Sequence, residues 1–164
     1  MTSKADFTDE EWTRLKRAPF VAGMAISLAD PGGPIEAIKE TGTTLKVVVG
    51  ATDGSRGDLL AEIARDVEEE ARHRQSPLKG FKPSGAANAG VEILDELRAV
   101  NALVTEKGTA DEAGAMRKWL LDAAQDAANA AKEGGFMGWH AVRVSEGEQK
   151  MLDSLAEALA EPAA

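Results

Sequence analysis

At three places in this chain a hydroxyl residue is followed three positions later by a glutamate, and then by an amphipathic run. They are Thr8-Asp9-Glu10-Glu11, Thr109-Ala110-Asp111-Glu112 and Ser145-Glu146-Gly147-Glu148. In such a capping box the hydroxyl accepts the backbone N–H three residues on, and the glutamate accepts the N–H of the cap residue. Two otherwise orphaned donors are satisfied, and a helix start is fixed by local chemistry alone. Alanine, the best helix former, supplies much of the apolar content, while aromatic residues make up only 4% and Tyr is absent. The pattern predicts an all-α fold, a single-domain bundle of about six or seven helices with a pseudo-twofold repeat as an option. The whole of 1–164 is read as one helical domain, with 1–7 and 160–164 as flexible ends.

The periodicity places the helices. Trp12, Leu15, Pro19 and Phe20 follow the first box, and Pro19 either kinks one helix or starts a second running to Ala29. Val21, Met24, Ala25 and Leu28 share a face there, and Asp30-Pro31-Gly32-Gly33-Pro34 stops the helix. The stretch from Ile35 to Gly50 is ambiguous. Ile35, Ile38, Leu45 and Val49 suit a helix, whereas Thr43 to Val49 has strand composition. A lone strand would leave its backbone groups unpaired, which favours helix. Leu59, Leu60, Ile63, Val67 and Ala71 mark the next helix, from about Arg56 to Arg74. Ser76 to Gly85 is the connection expected to be flexible, and Val91, Leu94, Leu97, Val100, Leu103 and Val104 define another helix. Met116, Trp119, Leu120, Ala123 and Ala127 follow the second box; Met151, Leu152, Leu155 and Leu159 follow the third.

Composition excludes several functions. A net charge of −9 repels phosphate backbones and anionic membrane surfaces. Without Cys there is neither a disulfide nor a thiolate site. The N-terminal residues are polar, and Pro19 to Ala29 falls far short of the ~20 apolar residues of a membrane span. The expectation is a soluble cytoplasmic protein with a protein partner or self-association, and with neither nucleic acid nor membrane as partner.

Gly134 to Val144 joins two patterned helices and gathers Phe136, Met137, Trp139 and His140. Aromatics and Met are anchors of recognition surfaces, so these four form the candidate partner-binding set. The other reading is a plug that pins the junction to the core. Ala131-Lys132-Glu133-Gly134-Gly135 also loosely repeats Ala29-Asp30-Pro31-Gly32-Gly33, and each leads towards further acids: Glu36 and Glu40 in one case, Glu146 and Glu148 in the other.

The residues Ala127 to Glu133, Gly134, Ser145, Glu148, Leu152 and Leu155 resemble the C-terminal half of the tellurite-resistance TerB-like helical domains. Val21 to Glu40, with Asp30 and Gly32 at the turn, is similar to that family's first repeat. The resemblance implies an all-helical fold with a divalent-cation site, for Ca or Mg, formed by turn carboxylates. Asp30, Glu36, Glu133 and Glu146 are the positions it points to. The chain departs from the pattern in three ways: Phe136 to Val144 is inserted, Glu133 stands where the family tends to have Asp, and Pro31 breaks an Asp-Gly pair. The Gly-Gly-Phe-x-Gly loop before a Ser-x-x-Glu helix also resembles uncharacterised bacterial proteins, which implies no activity.

Other candidates have plainer readings. Glu70 and His73 match the Glu-x-x-His spacing of carboxylate di-iron bundles, yet a second such motif is missing and Arg72 and Arg74 flank the pair. A solvated helix end is the simpler account. Asp53-Gly54-Ser55 reads as a turn before a helix rather than a calcium loop. No Gly-x-Ser-x-Gly or phosphate-loop pattern occurs, so no catalytic residue is assigned. Arg72, Arg74, Lys79 and Lys82 form a basic patch on a solvated loop, or a contact for an acidic partner or second subunit. Two function classes remain: a helical binding or assembly module carrying a carboxylate-bound cation, and a metal-assisted enzyme using Asp30, Glu133, Glu146 and His140.

Overall fold

The computed structural model describes residues 2–29, 44–133 and 144–160. It contains six α-helices, and no strand occurs among the described residues. They are α1 (Asp9–Ala29), α2 (44–49), α3 (Asp58–Arg72), α4 (Ala86–Lys107), α5 (Ala110–Glu133) and α6 (Glu146–Ala158). A short 3-10 turn, Lys4–Asp6, precedes them. All three capping boxes form. Glu11 Oε2 accepts from Thr8 N at 2.7 Å and Thr8 Oγ1 from Glu11 N at 3.2 Å. Glu112 and Thr109 repeat the exchange at 2.8 and 3.2 Å, and Glu148 and Ser145 at 2.7 and 3.2 Å.

Helix α1 runs unbroken through Pro19. Proline donates no N–H, so the Leu15 carbonyl loses its helical partner, but Pro19 is itself buried and its ring contributes to the core. Residues 44–49 are helical, which decides the ambiguity for the described part of that stretch; Thr44 and Val48 face inward.

The centre of the bundle is α1, which packs against α3, α4, α5 and α6 and most extensively against α5. Small residues make that contact close. Ala18, Ala22 and Ala25 of α1 and Ala123, Ala124, Ala127 and Ala128 of α5 are all buried. Trp119 supplies bulk, fully buried, with Nε1 directed at the Val47 carbonyl at a long 3.5 Å. The other helices contribute apolar stripes: Leu59, Leu60, Ile63 and Val67 from α3; Ile93, Leu97, Val100 and Val104 from α4; Leu152, Leu155 and Leu159 around α6.

Three expectations change. Val91 is 62% exposed and Leu28 47% exposed, although both fall on periodic stripes. The inward line of α4 runs through Ile93 and Leu97, and at 100° per residue Val91 is turned well away from it. Residues 2–7 are docked rather than loose: Thr2 and Phe7 are buried, and Lys4 Nζ lies 2.6 Å from Asp66 Oδ2. The 76–85 connection is likewise anchored, with Leu78 and Phe81 packed against the core. No described helix is long and apolar enough to cross a membrane.

Candidate functional site

Two places on α1 bring chemistry together. The first is an open cleft of about 600 Å³ between the amino half of α1, the 79–82 strap and α4. Arg14 and Arg17 stand one helical turn apart on α1, and both reach Glu96 on α4. Glu96 Oε1 accepts from Arg17 Nη2 at 2.6 Å, Arg17 Nε at 2.9 Å and Arg14 Nε at 3.2 Å. Arg17 is only 8% exposed, so this pair is largely out of water and is held by directed hydrogen bonds.

The strap is built onto that guanidinium. Arg17 Nη1 donates to the Lys79 carbonyl at 3.2 Å, and the Phe81 ring lies 5.8 Å from its carbon. Gly80 between them has φ 78°, and a Cβ there would sit 2.8 Å from Arg17 Nη1. Position 80 therefore needs glycine twice, for its backbone conformation and for space. Asp9, Glu10, Thr13, Lys79 and Lys82 complete the lining.

The second place is the junction of the α1 carboxyl end with the α6 amino end. A Cβ at Gly147 would lie 2.7 Å from the Ala29 carbonyl oxygen, so the two backbones meet with no room for a side chain. Glu148, 3% exposed, is consumed by the Ser145 capping box. Glu146 is exposed on the same first turn.

The sequence-derived sites divide accordingly. Glu146 stands at this junction. Glu133 ends α5, with its side chain outside the described residues; Asp30, Glu36, Phe136, Met137, Trp139 and His140 also lie outside them. Among the described residues no three His, Asp or Glu side chains are grouped to hold a metal ion. Glu70 and His73 do not converge: Glu70 pairs with Lys16, while His73 Nε2 lies 3.0 Å from Glu69 Oε1 on the exposed end of α3. Asp53 Oδ1 accepts from Ser55 N at 2.9 Å, closing a turn before α3. The basic patch splits, with Lys79 and Lys82 lining the cleft and Arg72 paired to Glu68 and Glu69.

Arg14, Arg17 and Glu96 were not singled out from sequence. A signal was present: Arg17 stands three residues after Arg14 and four before Val21, and Glu96 three after Ile93 and four before Val100. Charges in register with apolar stripes are candidates for a buried pair.

A further carboxylate is structurally committed. Glu112 accepts from Thr2 N at 3.0 Å, Thr2 Oγ1 at 2.6 Å and Thr109 N at 2.8 Å. Burial alone would raise its pKa, but the hydrogen bonds from Thr2 and Thr109 outweigh it and bring it down to about 2. It is a clasp on the N-terminal arm rather than an acid or base. Comparison of the chain with protein-family models, with curated proteins and with solved structures finds no match.

Proposed function

We propose that this protein is a helical binding or assembly module that engages a protein partner, or a second copy of itself, at the α1–α6 end of the bundle. The partner surface is Phe136, Met137, Trp139 and His140 of the α5–α6 connection. Asp30, Glu36, Glu133 and Glu146 offer carboxylates to a divalent cation such as Ca or Mg at the same end. The observation that carries this reading is the approach of the Ala29 carbonyl to Gly147. Asp30 follows Ala29 in the chain and Glu146 precedes Gly147, so the first acidic turn leaves α1 where the connection carrying Glu146 enters α6. The likeness to TerB-like domains, resting on Asp30, Glu133, Ser145 and Glu148, supports the same ligand class.

The test uses intrinsic fluorescence. Trp12 and Trp119 are buried, at 2% and 0% exposure, so a response at Trp139 is separable with Trp139→Phe. Titration with Ca²⁺, Mg²⁺ and Mn²⁺ should give a saturable change that EDTA reverses and that Trp139→Phe abolishes. A flat response to all three ions removes the cation. An unchanged sedimentation profile for Phe136→Ala/Trp139→Ala, where the parent self-associates, removes the partner surface.

A further inference from the structure

We infer that the cleft at the other end of α1 is a binding site for the carboxylate of an acidic peptide segment with an apolar neighbour, seated on Lys79, Lys82, Arg14 and Phe81. Among the described residues Lys79 and Lys82 have no ion-pair partner, and Arg14 donates only its Nε. The terminal nitrogens of Arg14 thus remain to grip a planar carboxylate through a two-pronged hydrogen-bonded contact. The two lysines supply point charges beside it.

These cations gather on one face of a chain whose net charge is −9. Their placement is rigid because Arg17, fixed on Glu96, holds the Lys79 carbonyl and the Phe81 ring. Phe81 is half-buried, and its remaining surface offers an apolar contact beside the charges. A site with convergent polar groups and an apolar wall suits an amphipathic ligand.

The ligand's charge is limited as well. Asp9 and Glu10, in the first turn of α1, and Glu96 also line the cleft. A single carboxylate tolerates these neighbours, whereas the second charge of a phosphate group meets repulsion that the exposed lysines do not offset. The open, wide form of the cleft fits an extended segment better than a small enclosed metabolite.

The test is a titration of the ¹⁵N-labelled full chain with the peptide acetyl-Leu-Leu-Glu-Leu-Leu-amide, its Gln counterpart, and inorganic phosphate. The Glu peptide should shift the amides of Thr13, Arg14, Gly80, Phe81 and Glu96 saturably, and the Gln peptide should bind about tenfold more weakly. Lys79→Gln/Lys82→Gln should weaken the Glu peptide by about tenfold, the combined effect of two solvent-facing ion pairs. Both positions are exposed, so the variant's spectrum elsewhere should match the parent. Three results overturn the inference: no saturable shift at these amides, equal binding of the Gln peptide, or no effect of the double variant. Phosphate binding more tightly than the Glu peptide would overturn the ligand class.

Discussion

Along the amino half of α1, beside the buried Leu15 and Ala18, the side chains of Trp12, Arg14, Lys16 and Arg17 reach carboxylates on other helices, and Glu11 pairs with Lys107 of α4. Trp12 Nε1 donates to Asp66 at 2.8 Å, Lys16 pairs with Glu70, and the two arginines share Glu96. Along the carboxyl half Phe20, Val21, Ala22, Ala25 and Ile26 are buried without charge. The amino half adds directed pairs to its packing, whereas the carboxyl half is positioned by fit. Directed pairs allow an open cleft to persist beside them because they hold α1, α4 and the strap at fixed points. Close packing leaves no such opening, and at Gly147 it excludes even a methyl group. The two proposed binding places inherit that difference: a cleft with cationic walls at one end, and a tight backbone junction flanked by acids at the other.

This contrast can be broken in several ways. The largest effect should come from the packed side. Trp119→Ala removes a fully buried indole and should cost about 3–5 kcal/mol, read as a lower urea midpoint. A loss under about 1 kcal/mol would mean that the α1–α5 contact is plastic rather than close-fitted.

On the polar side, Glu96→Ala leaves Arg17 largely buried without its carboxylate. The expected cost is about 3 kcal/mol, near the low end for a broken buried pair because about 10% of each side chain stays accessible. Replacing both residues, as in Arg17→Met/Glu96→Leu, should recover much of that loss. A double variant as unstable as Glu96→Ala would show that the pair contributes net stability and not only position.

Two glycines sharpen the comparison. Gly147→Ala forces a Cβ to 2.7 Å from a backbone oxygen, which cannot rotate aside, and should cost about 1–3 kcal/mol. Gly23→Ala meets Thr44 Oγ1 at the same 2.7 Å, but that atom belongs to a side chain that can turn. The gain of about 1 kcal/mol from placing alanine in a helix offsets much of the strain. Paired denaturation curves should therefore separate the two variants although the two clashes are equally close.

A further effect concerns the arm. The Glu112 pKa is about 2 folded, below its ordinary 4.5. A carboxyl depressed on folding stabilises the native state above its unfolded pKa, and that contribution disappears as pH falls through the folded value. Stability should decline between about pH 5 and pH 2, and Glu112→Gln should flatten part of that decline. An identical pH profile in the variant would show that the Thr2 clasp contributes nothing to global stability.

What the sequence disclosed follows the range of the interactions involved. Capping boxes span three residues, so Thr8, Thr109 and Ser145 announced helix starts that the structure repeats. The inward stripes of α3 and α6 were legible because periodicity is also local. Val91 falls outside because the inward line of α4 runs through Ile93 and Leu97, about 200° away from it, rather than through Leu94. The strap was read as loose for a related reason. Pro77, Gly80 and Pro83 signal a turn, while its anchor is an arginine 62 positions away. Arg17 and Glu96 are separated by 79 residues, and Thr2 and Glu112 by 110, so their pairing depends on how helices are stacked. Of the cation and partner-binding positions named from sequence, Glu146 alone has a described side chain, and it stands beside Gly147 where the two helix ends meet.

The central claim is that Arg17, held by Glu96, fixes the strap and with it the cleft. Native-state amide exchange of Glu96→Gln against the parent tests it most directly. Phe81 N donates to the Leu78 carbonyl at 2.9 Å and Lys79 N to the Ser76 carbonyl at 3.2 Å. Those two amides should exchange faster in the variant, while amides in the buried α1–α5 contact around Ala22 and Ala124 keep their relative order. Unchanged exchange at Lys79 and Phe81, with or without a uniform loss elsewhere, would contradict the account.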